Sequence, residues 1–73
     1  MEQLDFELRG GADDYIQLIQ LLKATNCVMS GAEAQEAVSE GLVKLNGVVE
    51  QRKRAKCRRG DRIEFGNTAI SIK

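Results

Sequence analysis

The sequence has 73 residues, of which 42% are hydrophobic and 30% charged, and its formal net charge is zero. This length predicts one domain over residues 1–73 with a thin core, which excludes a large buried active site, and the absence of histidine removes the commonest general base and metal ligand. No apolar stretch approaches the roughly 20 residues of a membrane helix, and the acidic start of the chain is unlike a signal peptide, so we expect a cytoplasmic protein with no membrane partner.

The first predicted elements are a strand over residues 4–8 and a helix over residues 15–25. In the strand, apolar residues alternate with acids, which is the period-two pattern of a half-buried strand. Asp13 or Asp14 is expected to cap the helix by accepting hydrogen bonds from its free amides. The helix carries a wide apolar stripe at helical spacing, formed by Ile16, Leu18, Ile19, Leu21 and Leu22.

A second helix is predicted between Ser30 and Gly41, because both of its ends carry strong signals. Ser30 and Glu33 form the S-x-x-E pattern, in which the serine oxygen and the glutamate carboxylate each satisfy a free amide at the helix start. Asn26 is expected to end the first helix in a left-handed conformation, and Gly41 to end the second. Small residues form the face expected to approach the first helix, namely Ala34, Ala37 and Val38.

The rest of the chain is predicted to form short strands joined by turns. Residues 42–49 form a β-hairpin around Asn46-Gly47, the strongest short-range hairpin signal. Two further strands follow, each after a glycine turn: turns at 60–61 and 66–67, strands at 62–65 and 69–72. The predicted fold class is therefore α+β, with two helices on one face of a small, mainly antiparallel sheet.

Charge is distributed unevenly along the chain. Residues 1–40 carry a net charge of −6 and residues 41–73 a net charge of +6, an asymmetry typical of a surface for nucleic acid or an acidic partner. Seven cations lie in residues 52–62, which we call the basic segment. Alternate side chains share a face if this segment is an extended strand, whereas a loop would not sort them. One face of such a strand would hold Arg52, Arg54, Lys56 and Arg58, and the other Lys53, Cys57 and Arg59.

The cysteines and aromatic residues give weaker signals. Cys27 and Cys57 are too far apart for a C-x-x-C metal or redox motif, and we expect two reduced thiols. The cations around Cys57 would favour a reactive thiolate; the alternative is a small, partly buried residue. Phe6 and Phe65 are expected in the core, and with three aromatic residues in the chain a platform that stacks on single strands is not predicted.

Over residues 15–65 the chain resembles the RNA-binding domain named after ribosomal protein S4, whose two helices and bent hairpin are called the alpha-L motif. The resemblance lies in S-G-A-E-A-Q-E-A-V-S-E-G-L-V-K-L-N-G-V-V-E at residues 30–50 and in R-G-D-R-I-E-F at residues 59–65. The pattern E-x-R-x-R-x-K at residues 50–56 is similar to the small stand-alone members. The family usually has arginine where this chain has Gly31, so the resemblance implies that phosphate contacts shift toward the basic segment, with the amide-rich start of the second helix as a further candidate.

These features predict a non-enzymatic RNA-binding protein that recognises structured RNA mainly through its phosphates. The expected partner of a monomeric protein is then RNA, with ribosomal and transfer RNA as candidates, and no cofactor, metal or catalytic residue is predicted. The alternative is a protein-interaction or self-association module that joins the opposite charges of the two halves. The candidate RNA-binding residues are Lys44, Arg52, Lys53, Arg54, Lys56, Arg58 and Arg59.

Overall fold

The computed structural model describes residues 2–11 and 14–73, and in these residues it contains seven strands and two helices. In chain order they are β1 (Glu2–Phe6), β2 (Ile16–Gln17), α1 (Leu18–Ala24), α2 (Gly31–Ser39), β3 (Val43–Leu45), β4 (Val48–Val49), β5 (Lys56–Cys57), β6 (Arg62–Phe65) and β7 (Thr68–Ile72). Within the described part of the chain, neither helix is long and apolar enough to cross a membrane.

The strands form two separate ladders. Five of them make one sheet in the order β1-β7-β6-β3-β4. In it β1 runs parallel to β7 and every other pairing is antiparallel. The remaining strands, β2 and β5, form a short antiparallel ladder of their own. The predicted α+β class with a mainly antiparallel sheet is confirmed.

The core lies between the two helices and the larger sheet. α1 packs against α2, and both contribute fully buried side chains that meet residues of the central strands β3, β6 and β7. Burying apolar side chains in this way is the main favourable term in folding. The buried helix residues are Leu18, Leu21, Leu22, Ala34, Ala37 and Val38, as the two predicted stripes indicate, while Phe6 and Phe65 pack half-buried at the edge of the core as expected.

The predicted first helix was too long at its start. α1 begins at Leu18, whose amide donates to the carbonyl of Ala55 at 2.9 Å, because residues 16–17 are extended and pair with β5. Asp14 therefore does not cap the helix; its carboxylate instead accepts from the amides of Gly10 and Tyr15, both at 2.9 Å. The alternative cap, Asp13, lies outside the described residues.

The predicted first strand was displaced by two residues. β1 covers Glu2–Phe6 rather than residues 4–8, because its partner β7 ends at Ile72, which lies opposite Phe6. Beyond the regular strand the Leu8 amide still donates to the Lys73 carbonyl at 3.1 Å, and the Leu8 side chain is buried in the core at 7% exposure. The period-two pattern thus identified the buried residues correctly but not the bounds of the regular strand.

The serine half of the predicted S-x-x-E cap, the left-handed residues after both helices and the hairpin turn follow the predictions. Ser30 Oγ accepts a hydrogen bond from the Glu33 amide at 3.2 Å at the start of α2. Asn26 takes a left-handed φ of 60° after α1, and Gly41 a φ of 75° after α2. In the hairpin turn between β3 and β4 the φ angles are 53° at Asn46 and 85° at Gly47, and two consecutive positive φ angles are what a type I′ turn requires.

Candidate nucleic-acid interface

The hairpin turn is fastened to the end of the basic segment by the side chain of Asn46. Its amide group donates to Asp61 Oδ1 at 3.1 Å, and its carbonyl oxygen accepts from the backbone amide of Arg62 at 2.9 Å. Asp61 also accepts from the Arg58 amide at 2.8 Å. Asn46 is thus a turn residue, as predicted, and its amide and carbonyl groups hold the hairpin and the basic segment in a fixed relation.

Lys44 lies at the middle of β3 on the outward face of the sheet. Val43 and Leu45 point toward the core on either side of it, and Lys44 is exposed. Its partner in the neighbouring strand is Glu64, and opposite charges on facing strand residues attract one another. The two side chains form no ion pair among the described residues, so Glu64 is a facing carboxylate and not a bound partner of Lys44.

The basic segment is mostly loop, anchored by two small buried residues. Ala55 and Cys57 are buried in the core, and the regular strand is limited to Lys56–Cys57. Residues 53–54 form a turn, in which the Ala55 amide donates to the carbonyl of Arg52 at 3.2 Å. The alternation expected of an extended strand therefore holds only for residues 55–58, and Lys53 lies exposed in the turn.

Arg52 is held by the carboxylate of Glu50, which lies two residues before it. Its Nε and Nη2 donate to the two oxygens of Glu50 at 3.1 and 2.9 Å, and its backbone amide donates to the same carboxylate at 3.1 Å. Hydrogen bonding by Arg52 lowers the pKa of Glu50, and the same pair raises the pKa of Arg52. The side chain of Arg52 is 79% exposed while that of Glu50 is 15% exposed, so a phosphate approaching Arg52 competes with a fixed internal anion.

Arg59 reaches back across the molecule to the loop that follows β1. Its guanidinium donates to three backbone carbonyls, those of Leu8 at 2.7 Å, Gly10 at 2.9 Å and Gly11 at 2.8 Å. Asp14 binds the amide of Gly10 in the same loop. The donors of Arg59 are thus used within the fold, and this contact joins residues that are about 50 positions apart in the sequence.

Lys56 and Arg58 both lie over the ring of Tyr15. Lys56 Nζ is 4.8 Å and Arg58 Cζ is 5.9 Å from the ring centroid, within the range of a cation–π attraction. Sequence reasoning assigned both cations to the site but gave Tyr15 no role in it. A two-residue strand such as β2 has too short a pattern to signal its pairing with β5, so no sequence feature pointed to this contact.

Cys57 is a core residue. It is 0% exposed, and burial, together with the charges of Asp61 and Glu50, raises the pKa of its thiol to about 12. The neighbouring cations do not favour a thiolate, because the side chain points away from them into the core. The expectation of a partly buried, unreactive residue was the better of the two alternatives, although the burial is complete.

The start of α2 carries no cation of its own. Gly31 is the first residue of the helix, and a Cβ added there would meet only Lys23 Cδ at 3.9 Å, an ordinary contact distance. The outward side of the helix is acidic, with Glu33, Glu36 and Glu40 all exposed. The positive surface therefore lies on the basic segment and not on this helix. Among the described residues no group of histidine, cysteine and acidic side chains is placed to hold a metal.

A known family, the S4 domain, matches the chain over residues 7–73. The matched region contains the parts described above in order: a Ser-capped helix that ends at a glycine, an Asn-Gly hairpin and the basic segment. The chain belongs to the S4 domain family. The match includes both helices, the hairpin and every candidate site residue. In this S4 domain the basic segment lies directly after the hairpin of the alpha-L motif.

Relatives of this S4 domain include YbcJ of Escherichia coli (strain K12). The two are 37% identical over 62 residues, which covers 85% of this chain and 89% of YbcJ. YbcJ of Shigella flexneri matches with the same identity and coverage. The solution structure of E. coli YbcJ has a TM-score of 0.70 to this S4 domain at 35% identity and covers 93% of this chain and 84% of that chain. It is described as revealing an alphaL motif involved in RNA binding, and the fold predicted by the resemblance is confirmed.

Proposed function

We propose that this S4 domain binds structured RNA through its phosphates, without enzymatic activity, and that the basic segment supplies most of the contacts. One observation carries the proposal: four exposed cations project from a segment whose backbone is fixed in the core by Ala55 and Cys57. Among the described residues these cations form no ion pair with a carboxylate. They are Lys53, Arg54, Lys56 and Arg58.

The other three candidates contribute differently. Lys44 faces outward but lies opposite Glu64, so it is expected to add a weaker contact. Arg52 reaches a phosphate only by exchanging Glu50 for it. The prediction that Arg59 contacts phosphate is untested, and its three hydrogen bonds to carbonyls favour a role in holding the fold.

Phosphate binding suits the composition of this surface. Each phosphate that a cation neutralises releases counterions, which gives a slope of log affinity against log salt of about −0.7 to −0.9 per contact. Two of the three aromatic residues pack on the core, so readout of stacked single strands is not favoured. The backbone shape of a stem or a stem-loop junction is the better target, and ribosomal and transfer RNA are the candidate sources. The free thiols Cys27 and Cys57 suit action in a reducing compartment such as the cytoplasm.

A salt series with matched variants tests the proposal. Affinity for a labelled RNA stem-loop would be measured by fluorescence anisotropy between 50 and 200 mM salt, about the range over which phosphate contacts weaken strongly. The variant Lys53→Gln/Arg54→Gln should bind less tightly, and its salt slope should be smaller by about 1.4 to 1.8. The control variant Arg9→Gln/Lys73→Gln removes the same charge from exposed residues outside the basic segment and should bind like the parent. Equal affinity and slope for the two variants would refute the proposal.

Self-association through opposite charges is the competing outcome. We propose a monomer, and light scattering without RNA should give the mass of one chain at both low and high salt. An assembly that dissociates as salt is added, combined with no RNA binding at low salt, would favour the charge-complementary interaction module instead.

A further inference from the structure

Tyr15 differs from the other aromatic residues of the chain. Phe6 and Phe65 pack against the core, whereas Tyr15 is 41% exposed. Two cations lie over its ring, with Lys56 Nζ at 4.8 Å and Arg58 Cζ at 5.9 Å from the centroid. The exposed ring therefore lies at the centre of a cationic cluster.

The β2–β5 ladder places the ring and the two cations on one face. Ile16 lies opposite Cys57 in this antiparallel ladder, and both side chains pack into the core. Since side chains alternate along a strand, the neighbouring Tyr15, Lys56 and Arg58 point outward together. The contact between them is thus dictated by the pairing.

Backbone hydrogen bonds fix both ends of this face. The amide of Leu18 donates to the Ala55 carbonyl at 2.9 Å, next to the start of β5. The amide of Arg58 donates to Asp61 Oδ2 at 2.8 Å just after β5 ends. The backbone positions that carry the ring and the cations are therefore set before any ligand arrives.

Lys56 and Arg58 carry like charges that meet over one ring, and an attractive group at that point stabilises the arrangement. Arg52 has the carboxylate of Glu50 as its ion-pair partner. Lys56 and Arg58 instead lie over the face of the Tyr15 ring, whose quadrupole attracts cations. The ring attracts both cations but carries no net charge, so Lys56 and Arg58 keep their full positive charge and can bind an anion.

We propose that Tyr15, Lys56 and Arg58 form one phosphate-binding subsite, in which the two cations bind a phosphodiester of the RNA backbone and Tyr15 is the residue that positions them. This inference rests on the proposed function and adds Tyr15 to it. Holding flexible side chains near their bound positions lowers the entropy lost on binding. The ring acts through the cations, so Phe at this position should serve as well as Tyr.

A double-mutant cycle tests the positioning role. Tyr15→Leu should weaken binding of the RNA stem-loop about three- to tenfold, which is the order of the cost of immobilising one long side chain on binding, and Tyr15→Phe should bind like the parent. In the background Lys56→Met/Arg58→Gln, Tyr15→Leu should have almost no further effect, because the cations that it positions are gone. In the control background Lys53→Met/Arg54→Gln, which removes the same charges from the adjacent turn, Tyr15→Leu should keep its full effect.

A ligand without bases separates positioning from stacking. Tyr15 is the single tyrosine and the chain has no tryptophan, so intrinsic fluorescence reports on this ring alone. Inorganic polyphosphate should change that fluorescence, and the change should disappear in Lys56→Met/Arg58→Gln. Circular dichroism of each variant verifies that it is folded.

The outcomes distinguish this inference from the function on which it rests. If Lys53→Gln/Arg54→Gln weakens RNA binding but Tyr15→Leu binds like the parent, RNA binding stands and the subsite is refuted. If Tyr15→Leu weakens RNA binding equally in the Lys56→Met/Arg58→Gln and Lys53→Met/Arg54→Gln backgrounds, and polyphosphate leaves the tyrosine fluorescence unchanged, the ring stacks on a base. That result also overturns the positioning role. If none of the basic-segment variants changes RNA binding, both proposals fail.

Discussion

Replacing Arg59 should destabilise the fold more than replacing any freely exposed arginine of the basic segment. Its guanidinium makes three hydrogen bonds, to the carbonyls of Leu8, Gly10 and Gly11. At about 1 kcal/mol net for each bond, these contribute about 3 kcal/mol, and fixing a long arginine side chain costs up to about 2 kcal/mol. We therefore expect Arg59→Ala to lower the free energy of unfolding by about 1 to 2 kcal/mol.

This loss is large for so small a domain, because the core of a protein of this size rarely supplies more than about 3 to 5 kcal/mol of net stability. Urea unfolding followed by circular dichroism measures it directly. With a dependence on urea of about 1 kcal/mol per molar, the midpoint should fall by about 1 to 2 M. Arg59→Lys keeps the charge but replaces the planar fork by one ammonium group, so its midpoint should lie between those of the parent and Arg59→Ala.

Arg54→Ala is the matched control, because it removes the same side chain and the same charge. Arg54 is exposed and makes no hydrogen bond or ion pair with the described residues, so its removal should change the free energy of unfolding by less than about 0.5 kcal/mol. Equal midpoints for Arg54→Ala and Arg59→Ala would show that the three carbonyl contacts add nothing, and would refute the structural role.

Three further predictions concern single groups. Cys57, with a thiol pKa of about 12 against an ordinary 9.0, should resist alkylation in the folded protein while the half-buried Cys27 reacts first; mass spectrometry would detect the difference, and equal alkylation rates would contradict it. Because the raised pKa favours the folded protein with a neutral thiol, the free energy of unfolding should also fall as pH rises from 9.0 toward 12. The pKa of Glu50, measured by NMR, should lie below its ordinary 4.5 and should return toward that value in Arg52→Gln, because hydrogen bonding by Arg52 lowers it. The lowered pKa supplies stability that is present above pH 4.5 and is lost as pH falls through the folded pKa. Gly31→Arg should fold normally, since a Cβ there meets only an ordinary contact, and should steepen the salt slope of RNA binding by about 0.7 to 0.9; an unchanged slope would mean that no phosphate comes near this helix start.

Local signals predicted the central part of the fold well. The type I′ turn at Asn46-Gly47, the cap at Ser30 and the left-handed residue Gly41 each depend on a few neighbouring residues, so the sequence alone could specify them. The ordered set of these signals also carried the resemblance to the S4 domain, which the family match confirms. By contrast, the start of α1 was wrong because the extended residues before it are held by Ala55, a partner far along the chain.

The sequence by itself determined that most of the positive charge of this protein lies in residues 52–62, which hold seven of its eleven lysines and arginines, and that the segment follows an alpha-L hairpin. Only the tertiary structure decided what each cation does there. Arg52 lies against Glu50, Arg59 against three carbonyls of a distant loop, and Lys56 over Tyr15. In the sequence these cations look equivalent, because charge and spacing are local properties. The β2–β5 ladder brings Tyr15 to Lys56, and the parallel pairing of β1 with β7 positions the loop whose carbonyls bind Arg59. No local pattern specifies either pairing.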